Sequence, residues 1–366
     1  MKYYIIAGEA SGDLHGSNLI KELKLLDSTS TFRCWGGDKM QASGASVVKH
    51  YSELAFMGFI EVVMNLRTIF KNLSFCKADI LQHRPDALIL IDYPGFNLRI
   101  AAWAKQQGLK VIYYISPQVW AWKKNRVKGI KLHVDKMLVI LPFEKEFYAN
   151  WHYQVEYVGH PLVQVIDSFK EQNPSVVKEK IIAVLPGSRK QEITTKLPVM
   201  LAVANKFPGY RFVVAKAPGI EASFYDDYLK SHSNVQAVSD STYSLLSKAC
   251  AALVTSGTAT LETALFAVPQ VVCYKGSAIS YAIAKRLITI KYICLVNLIM
   301  DKPVVKELIQ DELTPENIEK ELYELLTNKN RQLQLQDDYK VLKKLLSAGG
   351  NASANAAVSI SKFLSK

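Results

Sequence analysis

The chain has 366 residues, of which 49% are hydrophobic, so it is long enough to bury two α/β cores and too apolar to be disordered. Its 45 basic residues outnumber its 33 acidic ones and give a net charge of +12, which favours acidic partners such as nucleic acid, anionic lipid or phosphorylated substrates. The five cysteines include no C-x-x-C pair, which is typical of free thiols in a reducing compartment.

Short apolar runs alternate with helical patterns along nearly the whole chain. In chain order these runs are YYIIA, ALILI, KVIYYI, KMLVIL, IIAVL, RFVVA, NVQAV, AALVT and QVVCY. Alternation of this kind predicts parallel sheets of the α/β class. The pattern weakens in the polar segment DSFKEQNPSVVKEK and restarts at Ile181, so we predict one domain over residues 1–166 and a second over residues 167–350.

Ligand-binding residues are expected in the loops that follow strands, because open parallel sheets bind ligands beyond the carboxyl ends of their strands. The first such loop is AGEASGD. Gly8 and Gly12 permit close backbone approaches, and the helix start that follows offers unpaired N–H groups to a polar or anionic ligand. The loop lacks both G-x-G-x-x-G and the Gly-Lys-Ser/Thr ending of a P-loop. A plain tight connection between strand and helix explains both glycines as well.

The second loop, LPGSRKQEI, follows the run IIAVL and contains Gly187 before a helical pattern. A guanidinium beside a helix N-terminus is suited to a pyrophosphate, which makes Arg189 a candidate phosphate ligand. The alternative for Arg189 is a surface ion pair. Ser188 and Gln191 have the spacing of a capping box, so Ser188 is either a phosphate-loop residue or a helix cap.

The third loop, TSGTATLE, follows the run AALVT. Ser256, Gly257, Thr258 and Ala259 are small residues at a helix start, where a phosphate can reach the backbone amides. Glu262 lies one turn further on. Its carboxylate is placed to grip vicinal ribose hydroxyls, or it is simply an acid favoured by the helix dipole.

Several motifs follow one another in a consistent order from Lys2 to about Glu307. They are AGEASGD, MG at Met57 and Gly58 with EV at Glu61 and Val62, ID.P.FN from Ile91 to Asn97, SP.VWAW from Ser116 to Trp122, LPFE, GHP, LPGSR and SGTATLE. Together they resemble the lipid-A-disaccharide synthase family. SP.VWAW in particular is not a general nucleotide-binding signal. The resemblance implies a GT-B fold with two facing Rossmann-like domains, the first completed by a final helix over residues 351–366.

The resemblance also implies a reaction and its participants. UDP-2,3-diacylglucosamine and 2,3-diacylglucosamine 1-phosphate (lipid X) would give the β-1,6-linked disaccharide 1-phosphate and UDP. The chain contains no Asp-x-Asp triplet, so we expect no metal and no other cofactor, and positive helix ends with Arg189 would stabilise the departing UDP. The implied donor residues are Gly187, Ser188, Arg189, Ser256, Gly257, Thr258, Ala259, Glu262 and Asn297, and the implied acceptor-side residues are Gly8, Glu9, Ser11 and Gly12.

An inverting transfer requires a base that takes a proton from the acceptor hydroxyl. Asp92 directly follows the run ALILI, and its family position favours catalysis over a mere turn-forming role. Many family members carry a second acid where this chain has Gly95. In this chain Asp92 is therefore the first candidate for the base, and Glu9 is the alternative candidate. We interpret His15 and His160 as structural, since neither has a ligand partner at a recognised spacing.

Two other classes of function remain open at this point. A UDP-sugar 2-epimerase shares the GT-B architecture and would isomerise a UDP-sugar without an acceptor. A noncatalytic nucleotide- or RNA-binding protein would explain the basic charge. No nucleic acid partner is expected, because aromatic residues are not interleaved with the basic clusters as a stacking surface requires, apart from Trp120 and Trp122.

Contact with lipid substrates predicts a surface that meets the membrane. The sequence contains no signal peptide and no run of about eighteen apolar residues, so we expect a cytoplasmic protein. Because its implied substrates are lipids, we expect it to bind peripherally to the anionic inner leaflet. A helical pattern over residues 59–77 has a stripe that fits a core, made of Phe59, Val62, Val63, Leu66, Phe70 and Leu73. Off this stripe lie Ile60, Met64 and Phe75 beside Arg67 and Lys71, an apolar surface edged by cations. A second cluster of cations is Lys123, Lys124, Arg126 and Lys128.

Overall fold

The computed structural model describes residues 1–54, 66–122, 124–174, 176–277, 281 and 290–365. The chain divides into two compact units. The first comprises Met1–Pro161 together with Leu346–Lys366, and the second comprises Leu162–Leu345. Some predictions lie outside the described residues, namely those for Met57, Gly58, Phe59, Ile60, Glu61, Val62, Val63, Met64 and Lys123.

The described part of the first unit contains a seven-stranded parallel sheet. Its strands are β1 (Lys2–Ala7), β2 (Thr31–Gly36), β3 (Ser46–His50), β4 (Ala87–Ile91), β5 (Lys110–Tyr114), β6 (Lys136–Val139) and β7 (Glu156–Tyr157). They lie in the order β3-β2-β1-β4-β5-β6-β7. The central strand β4, with the sequence ALILI, is buried along its whole length, as expected for a strand covered on both faces.

The described part of the second unit contains a six-stranded parallel sheet with the same opening order. Its strands are β8 (Ile181–Leu185), β9 (Arg211–Ala215), β10 (Val235–Val238), β11 (Ala251–Thr255), β12 (Gln270–Tyr274) and β13 (Lys306–Ile309), in the order β10-β9-β8-β11-β12-β13. Strand order therefore reverses between β1 and β4 and again between β8 and β11. Such reversals are the points at which doubly wound sheets bind ligands.

Helices connect the strands, as the alternating pattern predicts. In chain order they are α1 (Ala10–Leu26), α2 (Asp38–Ala42), α3 (Leu66–His83), α4 (Pro94–Gln106), α5 (Val119–Trp122), α6 (Arg126–His133), α7 (Glu144–Ala149), α8 (Pro161–Gln172), α9 (Lys190–Leu201), α10 (Asp226–Leu229), α11 (Thr242–Lys248), α12 (Thr258–Leu265), α13 (Leu295–Met300), α14 (Pro315–Thr327), α15 (Lys329–Ser347) and α16 (Ala352–Leu364). Short 3₁₀ turns lie at Tyr51–Leu54, Ala204–Lys206, Ala222–Tyr225 and Gln310–Glu312. The two parallel-sheet units confirm the predicted α/β class.

The first sheet separates two apolar layers because neighbouring side chains of a strand point to opposite faces. Tyr4 and Tyr113 belong to one layer, and Tyr3 and Tyr114 to the other. Helix α16 packs against α1 and contributes Ala356, Ala357 and Ile360 to the second layer. The end of the chain is therefore part of the first unit.

Asp13 ties the end of the AGEASGD loop to the neighbouring crossover. Its side chain is only 2% exposed, and its carboxylate accepts hydrogen bonds from the N–H groups of Gly37 (2.8 Å), Lys39 (3.1 Å) and Met40 (3.1 Å). These N–H groups belong to the start of α2, where helical donors otherwise lack partners. Asp13 thus fixes the first turns of α1 against α2.

Helix α3 corrects the predicted core stripe. Leu73 is buried as predicted, but Phe70 is 63% exposed, so its assignment to the core was wrong. The buried side of the helix continues from Leu73 through Cys76 and Ile80, and this spacing turns Phe70 toward solvent. Arg67 and Lys71 are exposed, and Phe75 is 47% exposed. In the described part of the chain, no helix is both long enough and apolar enough to cross a bilayer.

Candidate functional site

Two loops leave the first sheet at its reversal point. Strands β1 and β4 are hydrogen-bonded neighbours, and Ala7 lies opposite Ile91 at their carboxyl ends. The AGEASGD loop and the loop that starts at Asp92 therefore begin side by side. The structure thus brings together the candidate residues that the sequence placed 83 positions apart at Glu9 and Asp92.

Glycine is required at the first of these loops. A methyl group at Gly8 would lie 2.4 Å from the ring of Tyr93, and one at Gly12 would lie 3.0 Å from the side chain of Ala7. Glu9 is the N-cap residue of α1, but its carboxylate makes no capping hydrogen bond. Ser11 is exposed in the first turn of the same helix. The glycines thus serve close packing, and the Glu9 side chain is not used to cap the helix.

Asp92 has a raised pKa. Burial is the main cause, the negative charge of Glu9 adds to it, and a hydrogen bond from the Tyr93 N–H opposes it, so that the pKa of Asp92 rises to about 7. Ordinary aspartates in water titrate near pH 4. A carboxylate with such a pKa is a stronger base than an exposed one and is still largely ionised slightly above neutral pH.

The two histidines near this edge are buried and neutral. Burial lowers the pKa of His15 to about 4, and burial with the nearby His15 lowers the pKa of His160 to about 3. Their exposures are 9% and 4%. Gly95, where a second acid was expected in the family, is exposed, and a methyl group there would touch nothing within 4 Å.

Residues of the SP.VWAW and LPFE motifs meet in a buried polar cluster. The Glu144 carboxylate, 1% exposed, accepts hydrogen bonds from the N–H groups of Leu141 (3.0 Å) and Ile140 (3.3 Å). Burial raises the pKa of Glu144 to about 7, and the hydrogen bonds from the Leu141 and Ile140 N–H groups oppose the rise. The hydroxyl groups of Ser116 and Tyr148 are 2.6 Å apart. These contacts join the loops that follow β5 and β6.

The second unit has a cavity of about 470 Å³ at the reversal point between β8 and β11. All of the predicted donor residues except Asn297 line it: Gly187, Ser188, Arg189, Ser256, Gly257, Thr258, Ala259 and Glu262. Gly187 (φ +122°) and Gly257 (φ +152°) have backbone conformations that side chains rarely adopt. The starts of α9 and α12 both border this cavity, so their unpaired N–H groups and positive dipole ends favour an anion.

Arg189 is the N-cap residue of α9 and makes no capping hydrogen bond with its side chain. Its guanidinium is 57% exposed and lies 3.8 Å from the Glu192 carboxylate, a loose ion pair that leaves donors available. The capping alternative for Ser188 was wrong, since Ser188 precedes the cap and its N–H instead donates to Glu192 at 3.3 Å. Glu192 therefore shapes this loop, although its side chain was not predicted to have a role.

Glu262 occupies the fifth position of α12, beyond the first turn where a helix dipole acts most strongly. Its carboxylate accepts a hydrogen bond from the Tyr243 hydroxyl at 3.0 Å. Burial raises the pKa of Glu262, and the hydrogen bond from Tyr243 opposes the rise. The position of Glu262 beyond the first turn disfavours the dipole alternative.

Asn297 is the one predicted donor residue that the structure places away from the cavity lining. It is 1% exposed, its side-chain N–H₂ donates to Val305 O (2.9 Å) and Glu307 Oε1 (3.1 Å), and its Oδ1 accepts from the Val305 N–H (2.9 Å). Glu307 also accepts from the Ile293 N–H, and Ile293 O accepts from the Ser256 hydroxyl at 3.2 Å. Asn297 and Glu307 thus shape a segment that contacts the cavity loop.

Two cations near the cavity were missed by sequence reasoning. Lys216 lines it from the loop that follows β9, a loop the strand pattern alone would have identified. Lys196 is 2% exposed on α9, and burial lowers its pKa while Glu192 partly restores it. Within the described residues, no cluster of three or more histidine, cysteine or acidic side chains is arranged to hold a metal ion.

The sequence matches a family model described as lipid-A-disaccharide synthetase over residues 3–361. Similar relatives include the lipid-A-disaccharide synthase of Geobacter metallireducens, 41% identical over 87% of this chain and 86% of that protein. The lipid-A-disaccharide synthase of Syntrophus aciditrophicus is 38% identical over 97% of this chain and 96% of its own length. These relatives are similar to the chain along almost its whole length.

Solved structures with the same fold are far less similar in sequence. The UDP-GlcNAc 2-epimerase of Neisseria meningitidis, bound to UDP-GlcNAc, has a TM-score of 0.66 at 14% identity and covers 100% of both chains. The glycosyltransferase of kitacinnamycin has a TM-score of 0.68 at 14% identity and covers 99% of both chains. Transferases and epimerases share this fold, which confirms the predicted GT-B class.

The raised pKa of Asp92 predicts a stability that depends on pH. Between about pH 4 and about pH 7, the folded protein holds a proton on Asp92 that the unfolded chain has released. Stability therefore falls as the pH rises through this window and levels off above it. Asp92→Asn removes this titration, so we expect its melting temperature, relative to the wild type, to rise from pH 4 to pH 8 in calorimetry at constant ionic strength.

The matched control is Asp311→Asn, which changes an exposed carboxylate in the second unit. Its melting temperature relative to the wild type should stay nearly constant over the same range. An equally constant difference for Asp92→Asn would show that the Asp92 carboxyl titrates as it does in the unfolded chain.

Proposed function

Since the chain belongs to the lipid-A-disaccharide synthase family and is therefore a disaccharide-forming glycosyltransferase, we propose how its residues carry out that reaction. The donor is UDP-2,3-diacylglucosamine and the acceptor is 2,3-diacylglucosamine 1-phosphate. The assignment of roles to residues rests on one observation. The two sheets have groups of opposite charge preference at the points where their strand order reverses. Carboxylates meet at the first, and glycines, helix starts and Arg189 meet at the second.

The second unit holds the UDP part of the donor. The diphosphate occupies the cavity between the starts of α9 and α12, where the N–H groups of Gly257 to Ala259 reach it and Arg189 adds a charge-assisted hydrogen bond. The carboxylate of Glu262 accepts from a ribose hydroxyl while Tyr243 holds it in place. As the glycosidic bond to UDP breaks, the same positive groups stabilise the negative charge that develops on the leaving diphosphate.

The first unit supplies the base. The Asp92 carboxylate takes the proton from the 6-hydroxyl of the acceptor, the oxygen forms the new bond to the anomeric carbon, and the bond to UDP breaks. A pKa near 7 makes Asp92 basic enough to accept this proton while enough of it is ionised at neutral pH. Glu9 contributes the negative charge that helps to raise this pKa.

A UDP-sugar 2-epimerase is the alternative that the fold alone would allow. The solved epimerase and transferase structures share only 14% identity with the chain, and at that level they support the fold and not the activity. The family match over residues 3–361 favours transfer. Isomerisation of a UDP-sugar in the absence of any acceptor would support the epimerase instead.

Product analysis of wild type and Asp92→Asn tests the reaction and the base together. We expect mass spectrometry to detect disaccharide 1-phosphate and UDP after the wild type is incubated with both lipid substrates. Asp92→Asn removes the base while keeping the shape, so its turnover should fall by roughly 10²–10⁴. UDP affinity should stay nearly unchanged, and Asp311→Asn should keep wild-type turnover. Wild-type turnover in Asp92→Asn would transfer the role to Glu9 or to water.

Removal of the Arg189 guanidinium tests the diphosphate site. Arg189→Ala should weaken UDP binding in calorimetry by about 1.5–3 kcal/mol, the range for a hydrogen bond to a charged group. The matched control is Lys190→Ala, because Lys190 is the next residue and its ammonium lies over the ring of Phe224. If the two variants bind UDP equally well, Arg189 is a surface residue without a phosphate ligand.

We further propose that the exposed face of α3 meets an anionic membrane surface. Phe70 and Phe75 are large exposed aromatic side chains, and helical spacing places the exposed cations Arg67 and Lys71 between them. Aromatic groups partition into the interface of a bilayer while cations are attracted to acidic headgroups. The cations Lys124, Arg126 and Lys128 near α6 would strengthen this attraction if they face the same surface.

Vesicle sedimentation tests this surface. We expect the wild type to pellet with anionic vesicles and to be released by salt, because salt screens the attraction of cations to the headgroups. Phe70→Glu should reduce pelleting while UDP binding is kept. Leu25→Glu is the control, since Leu25 is 80% exposed on α1, which packs on the opposite face of the first sheet from α3. Equal pelleting of both variants would exclude α3 as the contact.

A further inference from the structure

The turn that presents Asp92 has an unfavourable backbone. Asp92 (φ 44°) and Tyr93 (φ 48°) both lie in the left-handed region, and neither is a glycine. Two successive residues of this kind are strained, because each side chain crowds its own backbone. Helix α4 begins directly afterwards, and its N-cap residue Tyr93 makes no capping hydrogen bond through its side chain. Some other contact must hold this turn in place.

That contact is made by two buried donors on the Asp92 carbonyl oxygen. The side-chain N–H₂ of Asn97, which is 0% exposed, donates to Asp92 O at 2.8 Å. The hydroxyl of Tyr113, on the neighbouring strand β5, donates to the same oxygen. Asn97 also reaches Ile91 O at 3.2 Å and Ile6 O at 3.4 Å, so it links the ends of β4 and β1.

We infer that Asn97 and Tyr113 are positioning residues for the transfer reaction, because they fix the Asp92 carbonyl and thereby the direction of its carboxylate. This inference rests on the proposed role of Asp92 as the base. Fixing the carbonyl sets the peptide plane between Asp92 and Tyr93, and that plane sets where the Asp92 side chain leaves the strand end. Neither residue needs to touch a substrate.

The chemistry of both donors suits this role. Burial raises the pKa of the Tyr113 hydroxyl far above its ordinary range, and the nearby Asp92 charge adds to the rise. The hydroxyl therefore stays protonated around neutral pH and keeps its hydrogen bond there. An amide side chain does not titrate either. The strained turn is thus held by contacts that do not change while Asp92 itself gains and loses a proton.

Tyr113→Phe tests the inference with a matched control. We expect its kcat to fall roughly 10-fold, since a displaced catalytic group is costly, while the KM for the UDP donor stays unchanged. The acidic limb of its pH–rate profile should shift to lower pH, because a carboxylate released toward water regains a more ordinary pKa. The control is Tyr114→Phe, which removes the adjacent buried hydroxyl from the opposite face of β5 and should keep both the wild-type kcat and the wild-type limb.

The outcomes separate the inference from the proposed function. If Asp92→Asn keeps wild-type turnover, the proposed base is wrong and the inference falls with it. A second outcome is that Asp92→Asn is impaired, whereas Tyr113→Phe has the same kcat and the same acidic limb of the pH–rate profile as Tyr114→Phe. In that case Asp92 remains the proposed base and the inference is overturned. A loss of stability in Tyr113→Phe with an unmoved limb would also overturn it. Should Tyr113→Phe fail to fold, Asn97→Ser, which keeps one donor in place of two, is expected to show the same shift of the limb.

Discussion

The hydrogen bonds of Asn97 are the contact on which the arrangement of the first site depends. One buried amide group reaches carbonyl oxygens at the ends of β1 and β4 and the carbonyl of Asp92 beyond β4. The two strands are already paired along their length, but their last residues diverge into separate loops. Asn97 contacts the strands where their backbone pairing ends. It therefore fixes the relative position of the two loop starts that contain Glu9 and Asp92. The contact of Gly8 with the Tyr93 ring closes the same turn from the other side.

The two units share a strand order and use it for opposite electrostatic purposes. At the first reversal point, burial and a neighbouring carboxylate raise the pKa of Asp92, so the local field disfavours negative charge and favours uptake of a proton. At the second, helix starts, Arg189 and Lys216 favour an incoming anion. A transfer that takes a proton from one substrate and releases a diphosphate from the other needs both kinds of field. In both units the residues responsible lie in loops that follow the strands at the point of reversal.

The fold class could be predicted from the sequence. An apolar run such as ALILI in β4 has to be buried on both faces, and strands of this kind that alternate with helices indicate parallel sheets. Sequence reasoning also found eight of the sixteen residues that line the cavity of the second unit, since these eight belong to two short stretches of the chain. It could not find Asp13, Asn97 or Tyr113 as structural partners, because their acceptors or donors lie on other strands and loops. The misplacement of Phe70 has a different cause. Two overlapping helical stripes fit the same segment, and only the packing of Leu73, Cys76 and Ile80 decides which one is buried.

Glu262 and Asp92 show how one physical cause can serve two roles. Burial raises the pKa of both carboxyl groups. Glu262 receives a hydrogen bond from Tyr243, which orients it and partly offsets the rise, as suits a group that accepts hydrogen bonds from a ligand. Asp92 instead faces the charge of Glu9, which pushes its pKa further in the direction that burial began. A carboxyl group kept in this state destabilises the folded protein at neutral pH. Asp92 also has a strained backbone, and such a conformation persists only where surrounding residues hold it, as the two donors on the Asp92 carbonyl do.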